Sequence, residues 1–488
     1  MAKPSSKQIQ PITSARPIQH LAESRARPGV LSFFRLIAPL YIHAILGFRS
    51  VTLRNSERLV DAYDDFFTGK TRLLIAFRHP YGDEAQVLGY AIGRLLGREA
   101  RRRYASRGCR WRRRPHAHFI HGYEVPLWAG AFERWLLPRV GAVPVYHTKF
   151  DAKSIERIRS LAKDGEFPIA LAPEGQVSYV SEELPRLESG AAQIGAWCVH
   201  DLEKEGRPEK VVILPISVHH RWDKGAEKSL DRLIGRIEAE CGVQPGSGES
   251  APGGAAPDGA APPVAGRPEP KNAGRFEWLS AAADAILATA ERHYSRFCGA
   301  SLPRPGSSTR AQRLEDLREA ALTAAERAFD LKPDGDTIRR VYKIRQTGWD
   351  RIFREDIPDP AALPGLERGL ADRAAGEAWY ASRHMELVDL AWYLDFDRLK
   401  KDDPLELYIE TAQNYWDLIS RLEGGNLSNR IAIRGKRAIL VVGEPIPVTE
   451  RLAAFGSQRK AAVESLNEEL KRSFIACIEE IREDRKNG

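Results

Sequence analysis

Cysteine and methionine are scarce, with five and two residues in a chain of 488. Cys109, Cys198, Cys241, Cys298 and Cys477 are scattered without paired spacing. That argues against a disulfide framework and a thiolate zinc site, and fits a reducing, intracellular setting. There is no Gly-x-Ser-x-Gly elbow and no Walker-type loop, so a serine hydrolase of that type and a P-loop enzyme are excluded. No compact apolar core followed by a small-residue cleavage site marks a signal peptide. The strongest apolar run, Val30 to Phe48, is interrupted by Arg35, Pro39 and His43. A broken helix lying in a membrane interface or covering a groove is the favoured reading, with a buried core helix and a true span as the others. Acid is missing between Glu99 and Glu124, where Arg101, Arg102, Arg103, Arg107, Arg110, Arg112, Arg113 and Arg114 stand with Tyr104 and Trp111 among them. Such a basic loop meets an anionic membrane surface or is simply solvated. No nucleic-acid-binding module surrounds it, so nucleic acid is not an expected partner.

What is present has globular proportions: 43% hydrophobic and 29% charged residues, with a net charge of +8. The length implies two or more compact units. The chain is organised around residues 73–90. Leu73 to Phe77 is an apolar run of strand length, followed at once by Arg78, His79, Pro80, Tyr81, Gly82, Asp83 and Glu84. From Glu84 a helical spacing resumes through Val87, Leu88, Ala91 and Leu95. An imidazole is thereby set on a strand-to-helix corner beside two carboxylates, an arrangement that serves a general base if one carboxylate fixes its tautomer. A plain turn also accounts for these residues taken alone. A second island, Pro168 to Gly175, repeats the plan with an apolar strand ending in Pro173, Glu174 and Gly175. On parallel strands the two corners would share one edge of a sheet, where sites of open α/β sheets lie.

Residues 1–28 read as a disordered leader, 29–49 as the apolar segment and 50–222 as strands alternating with helices, which implies a largely parallel sheet. Residues 242–270 are almost wholly Gly, Pro, Ala and Ser, hence a disordered linker. A mainly helical segment over 271–426 follows. Strands are expected at 427–433 and 437–442, then a final helix from Ser457 to Ile481.

The order of these pieces resembles the glycerolipid acyltransferase family, of the 1-acyl-sn-glycerol-3-phosphate acyltransferase kind. The matching pieces are His79 with Asp83 and Glu84, the strand from Gly141 to His147, Pro173-Glu174-Gly175-Gln176, and Ile213-Leu214-Pro215-Ile216. Gly443-Glu444-Pro445-Ile446 is similar to the strand end that closes the family's sheet, which implies a discontinuous domain of about 50–222 and 427–488 with the helical segment inserted. The fold class expected is therefore α/β, an acyltransferase-type mixed, largely parallel sheet flanked by helices with a mostly α-helical insertion.

The resemblance implies transfer of a fatty acyl group from acyl-CoA or acyl-carrier protein to the hydroxyl of a lysophospholipid, lysophosphatidic acid first, at the cytoplasmic face of an anionic membrane and with no cofactor or metal. His79 would be the base, with Asp83 or Glu84 as its partner. Arg78, His147, Pro173, Glu174, Gly175 and Gln176 would line the acceptor site. Two departures stand out. His147 and Gln176-Val177 occupy positions where the family carries arginines for the acceptor's phosphate, and a forked permanent cation is not replaced by His or Val. Arg78 or the arginine loop would compensate, or the acceptor is another lipid. The alternative is a membrane-associated scaffold or lipid-binding protein that keeps the fold without the activity.

Overall fold

The computed structural model describes residues 11–18, 23–106, 108, 110–146, 151–243, 273–303, 307–425, 429–456 and 458–487. His147, residues 1–10 and 19–22 of the expected leader, and nearly all of the expected linker lie outside the described residues. The chain divides into two compact units, one of His20–Asp223 with Arg434–Gly488 and one of Met1–Gln19 with Lys224–Ile433.

The first unit is α/β, with a mostly parallel central sheet flanked by helices. Its strands are β1 (Phe48–Arg54), β2 (Thr71–Phe77), β3 (His118–Gly122), β4 (Val143–Val145), β5 (Ile169–Leu171), β6 (Lys210–Trp222), β7 (Lys436–Val442) and the short β8 (Ile446–Pro447). They are ordered β1-β7-β6-β2-β5-β3-β4, with β8 beside β6. From β6 to β4 every neighbouring pair is parallel, whereas β7 runs antiparallel to β6 and parallel to β1.

Side chains of β2 alternate between the two faces, as a strand's period of two requires. Leu73, Ile75 and Phe77 enter one core with Leu59, Val60 and Tyr63 of α2 (Ser56–Phe67) and with Val87, Leu88, Ile92 and Leu96 of the helical run that begins with α3 (Glu84–Tyr90). Leu74 and Ala76 enter the other core with Ile158, Leu161, Ile194, Cys198, Leu466, Leu470 and Phe474. A fully buried Leu, Ile or Phe stabilises by about 1.5–3 kcal/mol, so this two-sided burial of β2 makes it the rigid centre from which the corner at 78–84 projects.

The apolar segment forms α1 (Pro28–Leu40), which passes into a π turn over Tyr41–Ile45 just after Pro39, whose missing N–H interrupts the helical ladder. Pro28–Ile45 is long and apolar enough to cross a membrane by length and composition, with a mean hydropathy of 1.4. Only 11% of it is buried, so the reading as a core helix is overturned. Its outward side presents Phe33, Leu36, Leu40 and Ile45.

The structure departs from the sequence reading in three further stretches. Described parts of the leader are tied down: Arg25 and Arg27 N–H groups donate to the carbonyls of Pro138 and Arg139, and Ala15 N–H donates to Asp372. The basic stretch is not all loop, because Gly97–Ala105 is helical and Arg103 pairs with Asp61. Residues 429–433 form no strand and belong to the helical unit. There the helix Leu405–Leu422 buries a polar side that satisfies this segment's backbone, with Gln413 donating to the Ile431 carbonyl and Trp416 Nε1 to that of Asn429. The helical unit also holds the helices Glu227–Cys241, Ala273–Phe297, Arg310–Phe329, Thr337–Ile352 and Gly365–Ala391.

Candidate active site

The corner after β2 begins with Arg78, whose N–H extends the ladder by donating to the Ile216 carbonyl. Its guanidinium is wholly buried. Nε donates to Glu174 Oε1 at 3.0 Å, Nη1 to the Ser181 carbonyl at 2.6 Å, and Nη2 to the carbonyls of Val180 and Glu183 at 2.9 and 2.8 Å. A planar fork of donors suits this internal task. Arg78 is therefore not a substrate contact, and that expectation is corrected: its charge and donors close the loop 174–183 onto β2.

The next residue is different. His79 keeps 22% of its side chain exposed, and its Nδ1 lies 2.6 Å from Oε2 of the fully buried Glu84. The intervening turn folds back because Gly82 has φ of +94°, a left-handed value that favours glycine. Glu84 opens α3, and a helical side chain leans toward its helix's N-terminus, so the carboxylate points into the turn. There it also accepts the N–H of Tyr81 and, at 2.9 Å, that of Gly82. Glu84, not Asp83, is thus the partner of His79. Because Nδ1–H donates to the carboxylate, Nε2 is left as the atom that can take a proton. Burial depresses the affinity of His79 for a proton, but the charge and hydrogen bond of Glu84, with the charges of Glu174 and Asp83, outweigh it and raise the imidazole from its ordinary value.

Asp83 has another task. Its carboxylate meets Lys436 Nζ from β7, and His220 Nε2 of β6 lies 3.2 Å from its other oxygen. Burial alone would raise Asp83, yet His220 and Lys436 bring it well below the usual carboxylate range. Asp83 is thus removed from the candidate base pair itself.

At the second corner, β5 pairs directly with β2, Leu171 lying opposite Ala76, so both turns leave adjacent parallel strands at the same end. The turns are joined by Ser178 N–H donating to the His79 carbonyl at 3.0 Å. Pro173 and Glu174 are buried, Gly175 is exposed with φ of +75°, and Gln176 is half-buried. Glu174 orders the turn through Arg78 and does not face solvent. The Gly175 N–H closes the turn on the Ala172 carbonyl at 3.2 Å, so this donor of the expected acceptor site is engaged within the turn. His147, the other expected contact, lies outside the described residues.

Sequence reasoning passed over Tyr81, His220 and Lys436. Tyr81 stacks on His220 with ring centroids 3.8 Å apart and an interplanar angle of 12°. On the opposite face of β6, Ser217 Oγ and His219 Nε2 lie 2.8 Å apart, both buried, and burial with the charge of Arg78 presses His219 well below its ordinary range. The visible signal was the apolar strand Val211–Val218 running into His219 and His220. Lys436, in a basic turn, carried none. Beside the corner, the π turn at the end of α1 meets α3, the His43 and Tyr90 rings being 6.3 Å apart, while Phe34 approaches Phe132 of the helix Ala131–Arg139. Among the described residues no group of three His, Cys, Asp or Glu is gathered as a metal site. No protein-family model, curated protein or solved structure matches the chain.

Proposed function

We propose that the α/β unit is an acyltransferase-type domain that moves a fatty acyl group from a thioester, acyl-CoA or acyl-carrier protein, to the hydroxyl of a lysophospholipid-type acceptor, with lysophosphatidic acid as the first candidate. The observation that carries this reading is the His79–Glu84 pair, a partly exposed imidazole held by a buried, twice-anchored carboxylate at the end of a central strand. His79 Nε2 takes the hydroxyl proton as the acceptor oxygen attacks the thioester carbonyl. The C–S bond then breaks, and the imidazolium returns its proton to the leaving thiolate. Glu84 holds the tautomer and steadies the imidazolium.

The exposed apolar side of α1, with Phe132 and Trp135 exposed nearby and Arg112, Arg113 and Arg114 following in the same unit, supports work at an anionic membrane surface. The engagement of Arg78 and of the Gly175 N–H within the fold favours a second reading, a lipid-binding scaffold with the same architecture. The deciding experiment presents acyl-CoA and acyl-carrier protein with a panel of lysolipids on anionic vesicles. Product from wild type, reduced on the order of a thousandfold or more by His79→Ala, is expected. Absence of product with every acceptor from folded, vesicle-bound protein overturns the reading in favour of the scaffold.

A further inference from the structure

Lys436 is the first residue of β7 and, among the described residues, the one buried lysine of the α/β unit. Its register places it opposite Phe48 of β1 and Trp222 of β6, and its Nζ lies 4.2 Å from the centre of the Phe48 ring. An ammonium in such a place needs a carboxylate, and Asp83 supplies it. Asp83 stands at the N-cap of α3, where an aspartate ordinarily accepts from the helix's own first N–H groups, yet it makes no side-chain cap bond. It has been turned outward to β7 and β6 instead. The residue next to it is Glu84, the partner of His79.

We infer that Lys436 is a positioning residue: through Asp83 it fixes the start of α3, hence the direction of the Glu84 carboxylate and the tautomer and placement of the His79 imidazole. The inference rests on the reading of His79 as the base and deepens it. The turn 79–83 has no regular structure of its own. It is held from outside by Ser178 N–H on the His79 carbonyl, by the Tyr81–His220 ring stack, and by the Asp83–Lys436 pair. Only the last acts beside Glu84 itself. By this link the chain beyond the helical unit, from Arg434 onward, completes a site whose acid and base lie more than 300 residues earlier in the sequence.

Without Lys436, Asp83 retains the His220 imidazole at 3.2 Å, with Glu84 and His219 also near that ring and Arg221 next to it in the chain. Burial lowers the proton affinity of His220, against the charge of Asp83, and the charge of Lys436 acts in the same sense as burial, so in Lys436→Met the imidazole is expected to take up a proton more readily and the carboxylate to swing toward it. The test compares wild type, Lys436→Met, Asp83→Asn and the double variant. Imidazole nitrogen NMR is read in all four, and kcat and KM are read for the vesicle reaction.

In wild type, His79 is expected as the Nδ1–H tautomer with a raised titration midpoint. Lys436→Met is expected to lower that midpoint and mix the tautomers, and to reduce kcat on the order of 10- to 100-fold with KM nearly unchanged. The double variant, which leaves no unpaired buried charge, is expected to remain as impaired as either single change, because both act through one link. A Lys436→Met protein that melts lower but keeps the wild-type His79 tautomer and midpoint overturns the inference and leaves the base assignment standing. Recovery of the wild-type imidazole signals in the double variant overturns it as well, since Lys436 would then only neutralise Asp83. If wild type has no transferase activity, the NMR comparison still decides whether Lys436 orients His79.

Discussion

The two strand-end corners of the α/β unit are built from the same ingredients: an apolar strand, an abrupt turn with a left-handed glycine, and an ion pair. The second corner's Glu174 is fully buried against the equally buried Arg78, which reaches over from the start of the first corner, and the pair closes a loop. At the first, the carboxylate is fully buried but the imidazole keeps access to solvent. A charge whose partners are all internal serves stability. A titratable ring with one nitrogen occupied and the other open to solvent is suited to proton transfer. The comparison teaches that exposure of one partner, and not the presence of charge, separates the two tasks.

The contrast is broken most severely at Arg78. Arg78→Met leaves Glu174 buried without its cation and is expected to lower unfolding stability by about 3–5 kcal/mol in urea titrations. The remaining folded protein should retain kcat within a few-fold, and Arg78→Met with Glu174→Gln should recover much of the stability. A collapse of kcat with unchanged stability would instead return Arg78 to the acceptor site.

At the other corner, Glu84→Gln is expected to reduce kcat/KM on the order of 10- to 100-fold. The sign of its pH effect follows from the cause of the shift. Burial lowers the His79 value and Glu84 is the largest influence raising it, so the variant's acid limb should move to lower pH than wild type in a kcat/KM profile. Because the folded-state value is raised, His79 also adds stability that is fully present below its unfolded value, near 6.5, and is lost as pH rises through the folded one. That increment should shrink in Glu84→Gln.

The smallest effect sharpens the comparison at the turn. A Cβ on Gly82 meets only Val177 Cγ2 at 4.0 Å, so Gly82→Ala introduces strain from φ and not from crowding. A loss of about 1–2 kcal/mol is expected in urea titrations, with a more exchange-labile His79 signal in NMR.

Much of this was legible beforehand because it is local. Leu73 to Phe77 and Phe167 to Leu171 read as strands from their apolar runs, the second of them forming over Ile169–Leu171, and Glu84 onward read as a helix from its spacing. The proximity of the two corners also followed once parallel strands were inferred. The strand expected at 427–433 failed over its described part, 429–433, for a non-local reason: Gln413 and Trp416 on a helix take the carbonyls of Ile431 and Asn429, and no pattern within those residues records that. The reading of Arg78 as a ligand contact failed similarly, because its acceptors come from residues 174–183.

The sequence by itself therefore determined the strand from Leu73 to Phe77, the helix from Glu84 onward, the strand-end placement of His79 and Glu174, and the break in the apolar helix at Pro39, since each depends on periodicity, proline or glycine within a few residues. Tertiary structure alone decided that Glu84 and not Asp83 meets His79, that Arg78 is internal, and that Lys436 reaches Asp83. Those choices depend on which buried charge finds its partner across the sheet, where the cost of an unpaired ion outweighs any local preference.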